Sequence, residues 1–268
     1  MPDDDKTQRA IQSVEVGSRL LLALADAPGP LPLKELAARA GLTPSRAHPY
    51  LVSYARVGLV EQDPLGGRYA LGPGALRIGL ACLHQLDPLR AAEPVMQELA
   101  ARTGHAVALA VWGNFGPTVV RLIEARRPLH LALRVGSVMS IFETATGRAF
   151  AACLPRDRLL AAAAEPLRGL AGAQAALPGG IDIDTELGRI RAELREHGAT
   201  RAAGSPIPGV NAFSAAAFDH EGEAVLVITA LDHHERLDAA WDSASAAAVR
   251  DAAAQITQRL GGRVPVSA

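Results

Sequence analysis

The first residues suited to binding chemistry are polar side chains that recur through residues 44–57. A helical projection at about 100° per residue places the packing side chains on one face: Ala47, Leu51, Tyr54 and Ala55. The opposite face carries Ser45, Arg46, Pro49, Ser53 and Arg56. One apolar face and one face rich in hydrogen-bond donors are typical of a helix that enters the major groove of DNA, which is about 12 Å wide.

Arg46 is the candidate for a base-edge contact, because a guanidinium group can donate two hydrogen bonds to guanine. Ser45, Ser53, Arg56 and Arg68 suit phosphate oxygens. The predicted DNA-binding residues are Thr43, Ser45, Arg46, His48, Pro49, Ser53, Arg56 and Arg68.

Pro49 conflicts with a regular helix here. If Pro44 is the first helical residue, Pro49 lies beyond the first turn, where it has no amide to donate to the Ser45 carbonyl and crowds it at a cost of about 3 kcal/mol. The sequence therefore predicts a kink, or a loose first turn with the regular helix beginning near Pro49.

The elements that would position these side chains form a winged helix-turn-helix. Apolar residues at helical spacing predict a first helix that ends at the proline-rich residues 26–32. A short helix follows, with Leu33, Leu36 and Ala37 inward and Gly41 just past its end. Thr43 and Pro44 predict the N-cap and the first residue of the third helix. Strand candidates at 59–62 and 68–71 predict a hairpin wing.

A further helix is predicted from Gly74, with leucines at helical spacing and an end at Asp87 and Pro88. Those leucines suit either a dimer seam or packing within the chain: Leu76, Leu80, Leu83 and Leu86. The predicted domains are a DNA-binding domain at 1–73, a linker helix at 74–88 and a second domain at 89–268.

The second domain mixes helices with strands that look antiparallel. After an initial helix come strand-like runs at 106–112, 118–125 and 129–136, a helix at 145–154, and alanine-rich helical residues to about 164. A helix at 184–197, strands at 212–219 and 224–231 and a closing helix from about 235 to 260 complete the pattern. This order predicts an α+β, GAF/PAS-like domain with a central antiparallel sheet.

Composition excludes several classes of protein. A net charge of -1 argues against indiscriminate coating of nucleic acid, although residues 6–80 carry nine cations against five anions. Two cysteines, Cys82 and Cys153, are too few for a disulfide framework or a four-ligand zinc site. No apolar run reaches the roughly 20 residues of a membrane span, and the start lacks the order of a signal peptide. We expect a cytoplasmic protein.

Other candidate sites have weaker support. Asp232, His233, His234 and Glu235 include metal-ligand types, but adjacent side chains diverge and no second cluster stands at a recognised spacing, so a solvated helix cap is the better interpretation. Gly147 and Arg148 lack the frame of a phosphate loop, and Ser214 lacks that of a nucleophile elbow. No metal or cofactor is predicted.

Five segments together resemble the IclR family of bacterial transcription regulators, in the family's order and spacing along the whole chain: "LKELAARAGLTPSRAHPYLVSYARVGLVE", "GRYALGPGALRIG", "ETATGRAFAACLP", "LREHGAT" and "FSAAAFDHEGEAVLVITAL". The resemblance implies a winged helix-turn-helix followed by an effector-binding domain, and a homodimer or dimer of dimers. Pro49 stands where family members usually carry an arginine or another polar residue, so the operator preference is not carried over.

The resemblance also implies a ligand pocket between the sheet and the loop at 144–149, whose amides at a helix start suit a carboxylate. Its predicted residues are Met139, Phe142, Thr144, Ala145, Thr146, Gly147, Val210, Asn211, Ala212, Thr229 and Leu231. An acidic residue found in some relatives is replaced by Ala202. Apolar walls with a few hydroxyls favour an aromatic or apolar carboxylate over a small keto acid.

The sequence therefore predicts a transcription factor that binds a double-stranded DNA operator, senses a small organic acid and controls a catabolic operon. Two other classes stay open. An enzyme with a fused regulatory head would need titratable residues converging in the pocket, where the sequence offers threonines and an asparagine. An interaction module would bind DNA weakly, without sequence preference and with strong salt dependence.

Overall fold

The computed structural model describes residues 11–129, 131–164 and 182–263. The chain divides between Leu86 and Asp87 into two compact units. No helix among the described residues is both long enough and apolar enough to cross a membrane.

The first unit is the predicted winged helix-turn-helix. Its elements are α1 (Gln12–Ala25), α2 (Leu33–Arg39), α3 (Pro44–Arg56), β1 (Val60–Gln62), β2 (Tyr69–Leu71) and α4 (Pro73–Gln85). The two strands pair antiparallel, and an isolated bridge from Leu31 to Tyr69 ties the segment before α2 to the wing. Leu20, Leu36 and Leu51, from the first three helices, are almost fully buried in one core.

The turn between α2 and α3 forms for the reasons that its sequence suggests. Gly41 adopts a φ of 68°, a left-handed conformation that favours glycine. Thr43 takes the extended N-cap conformation, and Pro44 follows as the first helical residue, where its missing amide costs nothing. The start of the third helix is therefore set by local chemistry.

The second unit is α+β. Its elements are α5 (Pro88–Thr103), β3 (Ala106–Gly113), β4 (Gly116–Ile123), α6 (Ala145–Cys153), α7 (Arg156–Ala164), α8 (Ile183–His197), β5 (Thr200–Ala203), β6 (Val210–Phe218), β7 (Ala224–His233) and α9 (Ala244–Arg259). The five strands form one antiparallel sheet in the order β4-β3-β7-β6-β5. Helix α6 packs on β6 and β7 with α8 against it, and α5 packs on α9.

The third strand-like run, residues 129–136, is not a strand in its described part. Its leucines alternate because Leu129, Leu131 and Leu133 line a pocket beside β4, and the backbone that carries them forms no strand. Residues 136–139 instead lie along β4, with an isolated bridge from Val138 to Thr118 and backbone hydrogen bonds to Pro117 and Val119. An alternating pattern was therefore misinterpreted.

The closing helix begins at Ala244 rather than near residue 235. The Asp238 carboxylate accepts a hydrogen bond from the Ala240 amide, and this local turn competes with helix formation. Ser243 then caps α9 by accepting from the Ala246 amide. Strand β5, four residues that begin two positions after Gly198, was not predicted from the sequence.

Candidate functional site

The exposed face of α3 is the first candidate site. Ala47 and Leu51 are buried and fix the helix on the core of the first unit. The side chains of the opposite face are exposed, and we call them the recognition face: Ser45, Arg46, His48, Pro49, Ser53 and Arg56. The prediction was wrong for Ala55, which is exposed, and Tyr54 is only half-buried.

Helix α3 is continuous through Pro49. Its first hydrogen bond runs from the Ala47 amide to the Thr43 carbonyl at 3.0 Å, so the expectation of a regular helix beginning near Pro49 was wrong. The Ser53 hydroxyl donates to the Pro49 carbonyl at 3.0 Å. The proline is accommodated within the helix and is itself exposed to solvent.

Three predicted phosphate ligands, Ser45, Ser53 and Arg68, already have partners within the first unit. The Thr43 hydroxyl lies 3.2 Å from that of Ser45 and does not cap α3. On the wing, the Arg68 guanidinium donates to the Pro30 carbonyl at 3.3 Å although the residue is exposed. Arg46 and Arg56, by contrast, form no ion pair within the described residues, so both guanidinium groups face solvent with their donors available.

The second candidate site is a small cavity against the central sheet, which we call the sheet cavity. Its volume is about 50 Å³. Eight predicted ligand residues line it: Met139, Thr144, Ala145, Thr146, Val210, Ala212, Thr229 and Leu231. The remaining lining comes from Ala108, Val119, Leu133, Ala202, Ser205, Pro206 and Ile207. These residues lie on the strands, on the loop between β5 and β6 and, in the case of Leu133, on the segment that follows β4.

Buried hydroxyls form a chain beside the sheet cavity. Thr229 Oγ1 lies 2.9 Å from Thr146 Oγ1 and 2.7 Å from Ser214 Oγ. Thr200 Oγ1 donates to the Ala145 carbonyl at 2.7 Å and so joins β5 to the start of α6. The cavity therefore combines apolar walls with an ordered set of hydroxyl groups.

Three predicted ligand residues lie outside the cavity lining. Phe142 packs into the core beneath α6 and α8. Asn211 faces away, where its side-chain amide donates to the Leu237 carbonyl at 2.8 Å and its carbonyl accepts from the Gly204 amide. Gly147 serves close packing, because a Cβ there would overlap the Ser140 carbonyl oxygen.

An ion pair anchors α6 next to the cavity. Arg148 pairs with Glu193 of α8, and its Nη1 donates to the Arg201 carbonyl at 2.8 Å. Burial lowers the pKa of Arg148, although the neighbouring Glu193 favours the charged form. Glu193 also accepts from the Arg201 amide at 3.0 Å. Helices α6 and α8 are thereby tied to β5.

The prediction that Asp232 belongs to a solvated helix cap was wrong. Asp232 is buried, and its carboxylate lies 2.9 Å from His105 Nδ1 and accepts from Arg236 Nε at 2.9 Å. His105 Nε2 in turn lies 3.0 Å from Ser245 Oγ. Burial raises the pKa of Asp232, but hydrogen bonds from Arg236 and His105 outweigh it and hold that pKa below its ordinary value. No group of three possible metal ligands is assembled in the described parts of the chain.

Comparison with known proteins agrees with this architecture. Residues 13–64 match the IclR helix-turn-helix domain, and residues 80–258 match the bacterial transcriptional regulator IclR C-terminal domain. The chain is 31% identical to the glycerol operon regulatory protein of Streptomyces griseus, over 94% of this chain and 98% of the relative. A protein of the same name from Streptomyces coelicolor is 33% identical, but that match spans only 58% of its length.

Solved structures give the same result. The crystal structure of Pseudomonas aeruginosa HmgR superposes with a TM-score of 0.82 at 32% identity, covering 94% of this chain and 99% of that one. The Agrobacterium tumefaciens repressor BlcR shares the fold with a TM-score of 0.74 at 21% identity, covering 95% of this chain and 99% of that one. The chain belongs to the IclR family and is a DNA-binding transcriptional regulator, not an enzyme.

Proposed function

We propose that this regulator controls a catabolic operon in the cytoplasm and responds to a small aromatic or otherwise apolar carboxylate that binds in the sheet cavity. The observation that carries the proposal is the lining of this cavity, where apolar side chains surround Thr144, Thr146 and Thr229. Ala202 adds no charge to the wall. Such a lining favours an effector with an apolar body and a single polar end.

The start of α6 offers donors to that polar end. The Gly147 amide is already bound by the Thr144 side chain at 3.0 Å. The amides of Ala145 and Thr146, by contrast, have no acceptor among the described residues. Unpaired amides at a helix start bind a carboxylate well, because the helix dipole adds to their hydrogen bonds.

Binding also requires the cavity to enlarge. A volume of about 50 Å³ is well below the several hundred Å³ of typical ligand pockets. The loop between β5 and β6 covers the cavity and is bounded by Gly204 and Gly209, both with positive φ. Movement of this loop on binding would let the effector stabilise one conformation over another, which is what a change in DNA affinity requires.

Isothermal titration calorimetry with benzoate, pyruvate and glyoxylate tests the effector class. We expect benzoate to bind most tightly. Thr229→Val keeps the side-chain shape, removes the hydroxyl and should weaken benzoate binding, whereas the exposed Thr185→Val is the matched control. Tighter binding of pyruvate or glyoxylate than of benzoate would contradict the proposed class.

Operon control is supported by the Streptomyces griseus relative, which is named for operon regulation. Footprinting on the region upstream of the protein's own gene, with and without benzoate, tests it. We expect a protected site whose occupancy changes with the acid. Weak binding that is equal on random duplex, and that salt abolishes on both, would instead indicate an interaction module without a specific operator.

The proposed assembly is a homodimer or a dimer of dimers that presents the recognition face twice. Helix α4 supports it, because none of its residues is buried within the chain. Leu76, Leu80 and Leu83 are 63%, 46% and 41% exposed. An apolar row of this kind is typical of a surface that another copy covers.

A further inference from the structure

A second cavity lies at the edge of the central sheet. Its lining shares no residue with the lining of the sheet cavity. We call it the edge groove. It has a volume of about 670 Å³ and is lined by the end of α6, by α8, by β6 and by α9. A volume of that size falls in the range of pockets that hold small organic ligands, roughly 300–1,000 Å³.

The edge groove exists because β5 is short. Strand β5 pairs only with residues 211–214 of β6. The following residues of β6 have β7 on one side and no strand on the other among the described residues. Ala215, Ala216 and Phe218 from this open edge form the floor of the groove.

One backbone amide on this floor faces away from β7 and has no hydrogen-bond acceptor among the described residues. The Val210 carbonyl accepts from the Gly204 amide at 3.0 Å, so Val210 points its backbone groups toward the β5 side. Alternate residues of an antiparallel strand point the same way, which directs the Ala216 amide into the edge groove. Ala216 is only 7% exposed. The Ala216 amide is therefore placed to donate a hydrogen bond to a ligand that lies in the groove.

The walls of the groove are cationic. Arg191 and Arg195 stand one turn apart on α8, and neither forms an ion pair or a side-chain hydrogen bond within the described residues. Arg250 of α9 adds a third guanidinium, which donates to the carbonyls of His197 and Trp241 at 3.4 and 3.2 Å. Asp251 is the single acidic residue in the lining.

Cys153 also lies in the wall, and it adds no negative charge. Burial raises the pKa of Cys153 to about 12, against the opposing influence of Arg191. The thiol is therefore neutral at physiological pH. Three arginines against one aspartate leave the groove with a positive excess in a chain whose net charge is -1.

We propose that the edge groove binds a small amphipathic organic anion, whose carboxylate accepts hydrogen bonds from the Ala216 amide and from Arg191 and Arg195. The apolar part of the ligand lies along Leu194, Phe218 and the alanines of α9. This site is distinct from the sheet cavity and does not depend on the effector proposed there.

An added peptide strand fits the groove less well. Strand addition needs several free backbone groups along the edge. Here the Phe218 amide already donates to Thr257 Oγ1 at 3.1 Å, and the Ser214 carbonyl accepts from Thr200 Oγ1 at 3.4 Å. Only one residue, Ala216, is left to pair, which suits a single carboxylate better than an extended chain.

Calorimetric titration of the full chain with decanoate tests the site. We expect saturable binding that weakens about tenfold in Arg191→Gln and in Arg195→Gln, since each removes a charge-assisted hydrogen bond. Arg189→Gln, on the same helix but paired with Glu186 outside the groove, is the matched control and should bind as the wild type does. Thermal unfolding of each variant confirms that it folds.

Two further variants locate the binding. Ala254→Trp fills the groove from an exposed position on α9 and should abolish the component of decanoate binding that Arg191→Gln and Arg195→Gln weaken. Ala212→Leu narrows the sheet cavity and should leave it unchanged. Four results would overturn the proposal: no binding of decanoate, equal binding by the Arg191 and Arg195 variants, equal affinity for inorganic phosphate, or dissociation of the assembly in those variants without loss of a ligand.

Discussion

Arg46 differs from the other cations of the first unit in lying at the start of α3 with its guanidinium exposed. A recognition helix contacts base edges mainly through its first residues. We expect Arg46→Ala to weaken binding to the operator by about 1–3 kcal/mol and to reduce the preference over random duplex. Fluorescence anisotropy with both duplexes at fixed salt measures this.

Arg56→Ala and Arg158→Ala complete the experiment. Arg56 lies at the far end of α3, so we expect its loss to weaken both duplexes alike and to reduce the salt slope by about one unit. Arg158→Ala removes the same charge from α7 in the second unit and should change neither. Equal losses on operator and random duplex in Arg46→Ala would show that Arg46 contacts only phosphates.

Asp232 is expected to contribute to the stability of the second unit. Its carboxylate is buried and pairs with the buried His105 and with Arg236, whose side chain is 27% exposed. Because hydrogen bonds to a charged group contribute about 1.5–3 kcal/mol, we expect Asp232→Asn to lower the free energy of unfolding by about that amount at pH 7. The exposed Asp157→Asn is the control and should change it little.

The pH dependence of this effect has a defined sign. The pKa of Asp232 is lower in the folded than in the unfolded chain, so its contribution is full above the unfolded value of about 3.9 and is lost as pH falls through the folded value. Urea unfolding at several pH values should show the wild type and Asp232→Asn converging below about pH 4. A constant difference would mean that Asp232 acts through packing alone.

At the scale of elements, the sequence predicted what local chemistry determines. Gly41, Thr43 and Pro44 define the turn and the start of α3 without any help from the rest of the fold. The alternating leucines at 129–136 were ambiguous, because a pocket wall and a strand face produce the same alternation. Strand β5 is defined by its pairing with β6, which is a tertiary contact that no local pattern records.

In the candidate site, too, the residues set by local sequence were predicted and those set by tertiary packing were not. Residues next to the start of α6 could be placed from the resemblance, and eight of the predicted residues line the sheet cavity. Gly147 and Asn211 could not be assigned correctly, since which side of a strand or helix faces the cavity depends on packing. The Asp232 cluster joins residues from β7 and α9 to His105, which is far away in sequence. The residues adjacent to Asp232 in the chain gave no sign of these partners, and a helix cap was predicted instead.

The close packing of α6 on the preceding segment depends on Gly147. A Cβ at Gly147 would overlap the Ser140 carbonyl oxygen and would lie 2.6 Å from Ile141 Cα, both backbone atoms that cannot rotate away. We expect Gly147→Ala to lower the free energy of unfolding by about 3 kcal/mol or more, at the upper end of overpacking costs. Urea unfolding followed by circular dichroism measures the change.

Gly188→Ala is the matched control for that substitution. Gly188 lies in the interior of α8 and is exposed, and a Cβ added there would meet no other atom within 4 Å. Alanine there should raise stability by up to about 1 kcal/mol through helix propensity. If Gly147→Ala behaved as Gly188→Ala does, the segment at 140–141 would have to be free to move away from α6.

At the scale of the whole molecule, specificity depends on joining two weak contacts. A single recognition helix contacts few bases, and a dimer gains affinity because binding of one half-site raises the effective concentration of the second. The cations of residues 6–80 add a contribution from phosphates that is independent of sequence and sensitive to salt. The proposed dimer therefore matters as much for operator choice as Arg46 does.

Helix α4 is where this dependence can be tested, because its leucines are exposed although they are apolar. We expect Leu80→Glu to shift the protein toward monomers in sedimentation velocity, since a buried charge opposes association. Operator affinity should then fall by about a hundredfold or more as avidity is lost, whereas benzoate binding should persist. Gln85→Glu adds the same charge on the other side of α4 and should leave both assembly and operator affinity intact. A dimeric Leu80→Glu variant with full operator affinity would place the dimer contact elsewhere.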